Sequence, residues 1–298
     1  MAEYEIIDAH LHTYPTADIG LQAQQGTGKA GYTGVIDELL GVMKKGGISK
    51  SVMLNLTPQP EMTDAALAKI PEDKRAEAMP ELVKNIIGRT IRRNQWSCDV
   101  AKQHPELIAY INLDPQMSAR QMADEIHDKV KNHGAKGIKM HPPVQRFFPA
   151  DEPVLPVYEV AQEMDVPVFF HGGVFHAAKE YARPRYFIEV LDKFKKLNVA
   201  IAHIGHGYEQ EAAELAAKYP NVSFDLSACI SGTEAPESMG DDEAVALIRK
   251  IGARRIMFGS DYPWYDPIRD AQRVMALPLT NEEKRLILGE NAKRILKL

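Results

Sequence analysis

The 298-residue chain lacks most features that mark secreted, membrane-bound or metal-finger proteins. Its only two cysteines, Cys98 and Cys229, form no CxxC or zinc-finger spacing, so a reducing cytoplasm is the simpler expectation. Residues 1–5 carry no basic segment ahead of an apolar one, and we expect no signal peptide. No apolar run is long enough to span a bilayer, so no membrane partner is expected either.

An excess of one charge is also missing. The net charge is −5 and the pI is near 6.1, which points to no nucleic-acid partner. We find no internal repeat, no low-complexity tract and no block of like charge. With 45% apolar and 26% charged residues, the composition is that of an ordinary globular protein, which we take as one domain over residues 1–298.

What the chain does have is a regular alternation of short β-type runs and longer amphipathic runs. Eight strands are predicted, at 4–9, 50–55, 107–112, 136–140, 166–170, 198–202, 221–226 and 255–259. Helical patterns lie between them, for example over 118–132, 183–197 and 208–219. Eight strands alternating with helices predict an α/β fold, a closed parallel (β/α)₈ barrel.

Two stretches interrupt this alternation. Residues 13–32 are rich in Gly, Gln, Ala and Thr, and residues 57–95 hold four prolines between helical pieces. They follow the first and the second strand, on the face where barrel enzymes carry their active sites. We interpret them either as insertions that cover a substrate or as solvated surface loops.

Four apolar runs each end in a side chain that binds metals. These side chains are His10 with His12, His171, His203 and Asp261. The carboxyl ends of barrel strands meet on one face, so the side chains should converge there. His10 and His12, two positions apart, point the same way as a two-imidazole clamp, and His171 and Asp261 supply the remaining ligands. We predict one divalent ion, Zn²⁺ in the first place and Mn²⁺ as the alternative.

The order of short motifs along the chain resembles the amidohydrolase superfamily. Closest is the amidohydrolase-2 branch, which includes aminocarboxymuconate-semialdehyde decarboxylase and related hydrolases and lactonases. The matching elements cover nearly the whole chain: Ile7-Asp8-Ala9-His10-Leu11-His12, Gly137-Ile138-Lys139-Met140-His141-Pro142, Pro167-Val168-Phe169-Phe170-His171-Gly172-Gly173, Ala202-His203-Ile204-Gly205, Phe258-Gly259-Ser260-Asp261-Tyr262-Pro263 and Glu290-Asn291-Ala292-Lys293-Arg294-Ile295-Leu296.

This resemblance implies a distorted barrel whose metal lies at the carboxyl ends of the strands. It assigns His10, His12, His171 and Asp261 to the metal and implies a homodimer, as many enzymes of the branch form. It gives His203 a catalytic role next to the metal, with a further metal ligand or a structural histidine as the alternatives. Asp8 is expected to support a ligand histidine.

Lys139 and His141, on the fourth strand, have more than one interpretation. In the binuclear branch of the superfamily a lysine on this strand is carboxylated and bridges two metals. Otherwise the cation orients a substrate carboxylate or pairs with an aspartate, because a buried ammonium group needs an anionic partner. We predict one metal, with Lys139 and His141 contacting a small-molecule substrate.

Further candidate substrate-binding residues follow the fifth and the eighth strand. Arg183 and Arg185 are predicted to clamp a carboxylate. The alternative is that they form salt bridges at a helix start. Trp264 lies in an aromatic cluster that could stack on or cover a flat ring.

Three functions compete at this point. The first is a metal-dependent hydrolase of a small cyclic or carboxylated substrate, a lactone or an amide, with Asp261 as the general base toward metal-activated water. The second is a metal-dependent non-oxidative decarboxylase of an aromatic or muconate-like acid, in which Asp261 or His203 transfers the proton. The third, a scaffold without activity, is disfavoured because the ligand set is intact.

Overall fold

Eight parallel strands form a barrel in the computed structural model, which describes residues 4–26, 28, 30–175, 180–230 and 238–298. The strands are β1 Ile6–Leu11, β2 Ile48–Met53, β3 Leu107–Asn112, β4 Gly137–Met140, β5 Val168–Phe170, β6 Val199–Ile201, β7 Val222–Asp225 and β8 Ile256–Met257. Each strand pairs with its neighbour in sequence, from β1 to β8. The backbone N–H of Ala9 donates to the carbonyl of Phe258, and Leu11 bridges to Tyr262, which closes the ring. The predicted (β/α)₈ fold is therefore confirmed.

Helices surround the strands on the outside. They are α1 Ala17–Gln24, α2 Ile36–Gly46, α3 Gln59–Leu67, α4 Arg75–Gln103, α5 Ala119–His133, α6 Pro142–Gln145, α7 Leu155–Glu163, α8 Ile188–Lys193, α9 Glu209–Lys218, α10 Asp241–Ile251, α11 Pro267–Ala276, α12 Asn281–Arg285 and α13 Asn291–Leu296. In the described part of the chain, no helix is both long and apolar enough to cross a membrane.

The ends of the helices follow local sequence chemistry. The pattern over 118–132 becomes α5, because the Ser118 hydroxyl accepts from the Gln121 backbone while the Gln121 side chain accepts from the Ser118 backbone. Gly134, with φ of 76°, then ends the helix in a left-handed conformation that glycine adopts without strain.

Two apolar layers hold the barrel together. One lies between the strands and the helices and forms the larger core. The other fills the barrel interior and includes Ile7, Ala9, Tyr110, Phe169 and Met257. Ala292 and Leu296 of α13 belong to this inner layer and close the end of the barrel opposite the carboxyl ends of the strands.

An irregularity in β1 decides which of its side chains face the interior. Asp8 pairs with Ser51 and Leu11 with Met53, so three steps of β1 lie opposite two steps of β2. This extra residue is a β-bulge, which interrupts the alternation of sides. Ile7 and Ala9 lie in the inner layer, and within the bulge the His10 ring, next to Ala9, also contacts Phe169, at a ring-centroid distance of 5.4 Å.

The two insertions follow β1 and β2 as predicted. The first contains α1, and the second contains α3 and the 29-residue helix α4. Glu38 on α2 joins the end of the first insertion to the segment after β8, because its Oε2 accepts from Thr33, from the Gly34 backbone and from the Tyr262 hydroxyl. The first insertion is thus packed against the face at which the strands end, and Arg93 of α4 reaches the same face at the Thr13 carbonyl.

Candidate active site

His10, His12 and Asp261 meet where β1 and β8 end. The Nε2 atoms of His12 and His10 lie 3.3 Å and 3.6 Å from Oδ1 of Asp261, and the ligand atoms of the three residues all fall within 4.8 Å of one another. His10 and His12 are both buried. The structure thus brings together three of the four predicted metal ligands, contributed by opposite ends of the chain.

Asp225, the last residue of β7, and Ser227, two residues further along the chain, hold the His10 ring. Oδ2 of Asp225 lies 2.9 Å from Nδ1 of His10, and Oγ of Ser227 lies 3.0 Å from the same nitrogen. A carboxylate only accepts, so Nδ1 carries the proton and the lone pair of Nε2 faces Asp261. Gly259 makes room for this arrangement, since a Cβ there would lie 2.8 Å from that of His10.

His203 lies two residues after the end of β6 and has an unusual backbone. Its φ is 57°, in the left-handed region that costs a non-glycine residue on the order of 1 kcal/mol or more. Its Nδ1 lies 3.0 Å from the Ser227 carbonyl, and its backbone N–H donates to Oδ1 of Asp225. Asp261, with φ of 59°, shares this conformation. Both predicted catalytic residues are thus held in strained backbone, as functional residues often are.

His171 and His141 form a stacked pair beside this group. Their ring centroids are 4.1 Å apart with an interplanar angle of 12°, and the His171 ring lies 4.9 Å from that of His203. Nδ1 of His141 accepts from the Val144 backbone, which fixes its ring. Nε2 of His171 is buried and has no hydrogen-bond partner among the described residues.

Lys139, on β4, is completely buried in the barrel interior. Its Nζ lies 5.4 Å from the Phe169 ring centroid and makes no hydrogen bond to any residue that the structure describes. Burial lowers the pKa of Lys139 to about 8, against the attraction of Asp225 and Asp261. A cation without a bonded partner at this depth is costly, which makes it a feature that a function has to explain.

The histidines of the cluster favour the neutral form. Burial, with the nearby charge of Lys139, lowers the pKa of His10 to about 4, and burial is also the main cause that lowers the pKa of His12, His141 and His171. For Asp261 burial acts to raise the pKa, but the hydrogen bond from His12 and the neighbouring imidazoles of His10 and His203 hold it well below its ordinary value. Neutral imidazoles beside an ionised carboxylate are the state in which these groups bind metals.

These observations test whether a divalent cation fits. Two buried imidazoles and a carboxylate offer ligand atoms that lie within 4.8 Å of one another. Nε2 of His171, which has no hydrogen-bond partner among the described residues, is a further candidate ligand atom in the same cluster. This nitrogen and oxygen set suits Zn²⁺ or Mn²⁺. His10, His203 and Asp225 form a second close group, but there His10 and Asp225 already bond to each other. We therefore interpret the first group as the ligands and the second as their support.

The predicted substrate-binding residues lie in different surroundings. The Trp264 ring stands edge-on to His12 at 5.5 Å, beside the metal cluster. Arg183, in contrast, bonds to Glu180 at 2.8 Å and to Glu211, and the backbone N–H of Arg185 also donates to Glu211. These contacts favour the salt-bridge alternative over a carboxylate clamp.

The role predicted for Asp8 is wrong, and no role at His10 was predicted for Asp225. Asp8 does not support a ligand histidine ring; it accepts from the backbone of His10 and Ser260 and from the Ser260 hydroxyl, because the β1 bulge breaks the assumed alternation. The ring partner of His10 is Asp225. The sequence carried a signal for this role, since Asp225, like the candidate ligands, places a metal-binding type of side chain at the end of a buried strand.

Comparisons with known proteins agree with this geometry. The model of the amidohydrolase family matches residues 7–298. Curated protein sequences give no significant match. Among solved structures, an uncharacterised TIM-barrel protein from Bordetella bronchiseptica has a TM-score of 0.75 at 17% identity, with 98% of each chain covered.

Two further similar structures are decarboxylases. 5-Carboxyvanillate decarboxylase from Novosphingobium aromaticivorans, complexed with manganese, has a TM-score of 0.72 at 16% identity, covering 99% of this chain and 97% of that one. A dihydroxybenzoic acid decarboxylase from a Polaromonas species, with bound manganese, has a TM-score of 0.73 at 17% identity, covering 99% and 98%. At these identities the likeness concerns the fold, whereas the family match spans the chain. This protein therefore belongs to the amidohydrolase family, whose members are metal-dependent enzymes.

Proposed function

We propose that this protein is a metal-dependent, non-oxidative decarboxylase of an aromatic or muconate-like carboxylic acid. One observation carries the proposal: the buried Lys139 ammonium group, which has no hydrogen-bond partner among the described residues, lies within the electrostatic reach of Asp225 and Asp261. A substrate carboxylate would supply the missing anion. A neutral lactone or amide would leave the cation without a hydrogen-bonded anion, which disfavours hydrolysis.

The surroundings of Lys139 suit a flat acid. His141 and His171 are stacked, Phe175 stands edge-on to both, and Trp264 lies against His12. Such rings pack well on a planar conjugated substrate. Two similar structures are decarboxylases of aromatic acids, and this supports the same chemistry here.

A divalent metal, which His10, His12, His171 and Asp261 would hold, supplies Lewis-acid polarisation when bound. Zn²⁺ stays the predicted ion, and Mn²⁺, present in the two similar decarboxylase structures, is the alternative. We assign one ion, with Lys139 as an unmodified ammonium group. The single domain and the homodimer likewise remain predictions.

The reaction itself needs only a proton. Lys139 and His141 orient the substrate. His203, or Asp261 after it has taken a proton from the acid group or a hydroxyl of the substrate, delivers a proton to the carbon that bears the carboxylate. The bond from this carbon to the carboxylate then breaks, its electron pair returns to the conjugated system and carbon dioxide leaves. The strained backbone at His203 and Asp261 holds the two proton-transfer candidates in place.

Hydrolysis of a lactone or amide is the second candidate. It rests on Asp261, an ionised carboxylate 3.3 Å from Nε2 of His12, which could act as the general base. The same barrel face serves both reactions, so only an assay separates them.

The test compares both substrate classes on protein loaded with Mn²⁺ or Zn²⁺. We expect carbon dioxide release from hydroxylated benzoates or muconate-like acids, and no turnover of lactones and amides. Lys139→Met should lower kcat/KM for the acid at least about 100-fold, because it removes the carboxylate partner. Lys136→Met, an exposed lysine just before β4, is the matched control and should leave the rate unchanged.

Two results would count against the proposal. One is turnover of lactones without carbon dioxide release from any acid. The other is a Lys139→Met variant that keeps its metal and its full decarboxylase rate.

A further inference from the structure

Arg93 of α4 reaches from the second insertion to the chain that leaves β1. Its guanidinium donates to the main-chain carbonyl of Thr13, the residue directly after His12. The guanidinium carbon lies 4.4 Å from the Trp96 ring centroid and 5.3 Å from that of Tyr14. The cation is thus held between two aromatic rings, one residue away from a predicted metal ligand.

The charge of Arg93 is uncompensated within the described part of the chain. It forms no ion pair there, whereas Arg183 bonds to two glutamates and Arg146 to Asp64. Burial lowers the pKa of Arg93 to about 10, and its electrostatic neighbours are Tyr14 and the like-charged Arg89. A guanidinium has five N–H donors in a planar fork, and among the residues that the structure describes only the Thr13 carbonyl accepts from them.

Tyr14 connects Arg93 to the metal cluster. Tyr14 lies two residues after His12, its backbone N–H donates to the Gly34 carbonyl, and its ring centroid is 5.3 Å from the Arg93 guanidinium carbon. Gly34 packs against both the Tyr14 ring and Pro263, since a Cβ on Gly34 would lie 2.7 Å from the ring and 3.2 Å from Pro263. A flat substrate held at the cluster could therefore extend along this ring toward Arg93.

A buried polar network fixes the parts that carry Arg93. Oδ1 of Asn55 accepts from the backbone N–H of Thr13, and its Nδ2 donates to the hydroxyls of Thr13 and Ser97. The Ser97 hydroxyl in turn donates to the carbonyl of Arg93. The loop after His12 and this turn of α4 are thereby locked together, which pre-organises the guanidinium.

We infer that Arg93 binds a second anionic group of the substrate, distal to the carboxylate that is lost. The inference rests on the proposed function and narrows its substrate class to conjugated acids with two anionic groups. Arginine suits this task because its fork pairs with a carboxylate through two parallel hydrogen bonds. A merely structural Arg93 would join the loop to α4 and would be indifferent to the charge of the ligand.

The experiment measures binding of benzoate and of its three dicarboxylate analogues, phthalate, isophthalate and terephthalate, to the full chain loaded with Mn²⁺. Calorimetry gives the affinities of the wild type, Arg93→Met, Arg93→Lys and the control Arg92→Met, an exposed arginine on the same helix. We expect at least one dicarboxylate to bind about 10- to 100-fold more tightly than benzoate, the range of a charge-assisted pair. Arg93→Met should lose this preference, Arg93→Lys should keep part of it and Arg92→Met should keep it all.

The outcomes separate the two proposals. Equal affinity of the wild type for benzoate and all dicarboxylates overturns the role of Arg93. An equal loss for benzoate and dicarboxylates in Arg93→Met, together with a lower melting temperature, also overturns it, in favour of the structural role. An Arg93-dependent preference without carbon dioxide release from any acid would instead refute the proposed decarboxylation and leave the anion subsite standing. If Arg93→Met does not fold, Arg93→Lys and the salt dependence of the wild-type preference decide.

Discussion

Replacing Asp225 by asparagine should weaken metal binding by changing the tautomer of His10. Oδ1 of Asp225 accepts two backbone N–H groups, from Ser227 at 2.8 Å and from His203 at 3.2 Å, so the amide oxygen of an asparagine has to occupy that position. The amide NH₂ then faces Nδ1 of His10, where Oδ2 now lies at 2.9 Å. An NH₂ donates, so the His10 proton moves to Nε2, the atom that faces Asp261.

The size of the effect follows from this change. Removing the partner of a metal-bound histidine typically costs 10- to 100-fold in metal affinity. Because asparagine here promotes the wrong tautomer, we expect the upper end, about 100-fold or roughly 2.7 kcal/mol. Ser227→Ala removes only a hydroxyl near His10 and keeps the carboxylate, so its loss should stay below about tenfold.

The assay is competition for Zn²⁺ and Mn²⁺ against a chromophoric chelator, with elemental mass spectrometry for stoichiometry. Wild type should hold about one equivalent, and His12→Ala, the reference without a complete site, should hold none. Asp192→Asn, an exposed acid, is the matched control. Metal affinity of Asp225→Asn within threefold of wild type, at an unchanged melting temperature of the metal-free protein, would refute the tautomer argument.

Two further predictions concern stability. Glu38→Ala removes the acceptor of Thr33, Gly34 and the Tyr262 hydroxyl, and we expect a loss of about 2–4 kcal/mol in urea unfolding, with the exposed Asp37→Ala near zero. Burial raises the pKa of Asp114 to about 6, so its ionisation opposes folding as the pH rises from about 4 to 6. Asp114→Asn should therefore match wild type near pH 4 and exceed it by about 3 kcal/mol at pH 7; equal stability of the two at pH 7 would contradict this account.

The barrel and the clustering of the candidate metal ligands His10, His12 and Asp261 were predictable because their signals are local. A buried strand ending in imidazole or carboxylate is chemically anomalous, and His10, His171, His203 and Asp261 each repeat that anomaly. The alternation of strand and helix patterns is likewise read within windows of about ten residues. The predicted first strand, 4–9, begins two residues before the observed β1, Ile6–Leu11, because the core rather than local propensity sets where a strand begins.

By itself, the sequence determined the fold class and the side chains that line one face of the barrel, because periodicity and composition act over short distances. Tertiary structure alone decided how these side chains are paired. Asp225 meets His10 across 215 positions and Arg93 meets Thr13 across 80, while Arg183 is neutralised by Glu211. Such pairings depend on the bulge in β1 and on how the insertions fold back over the barrel, and the spacing of residues along the chain does not encode these distances.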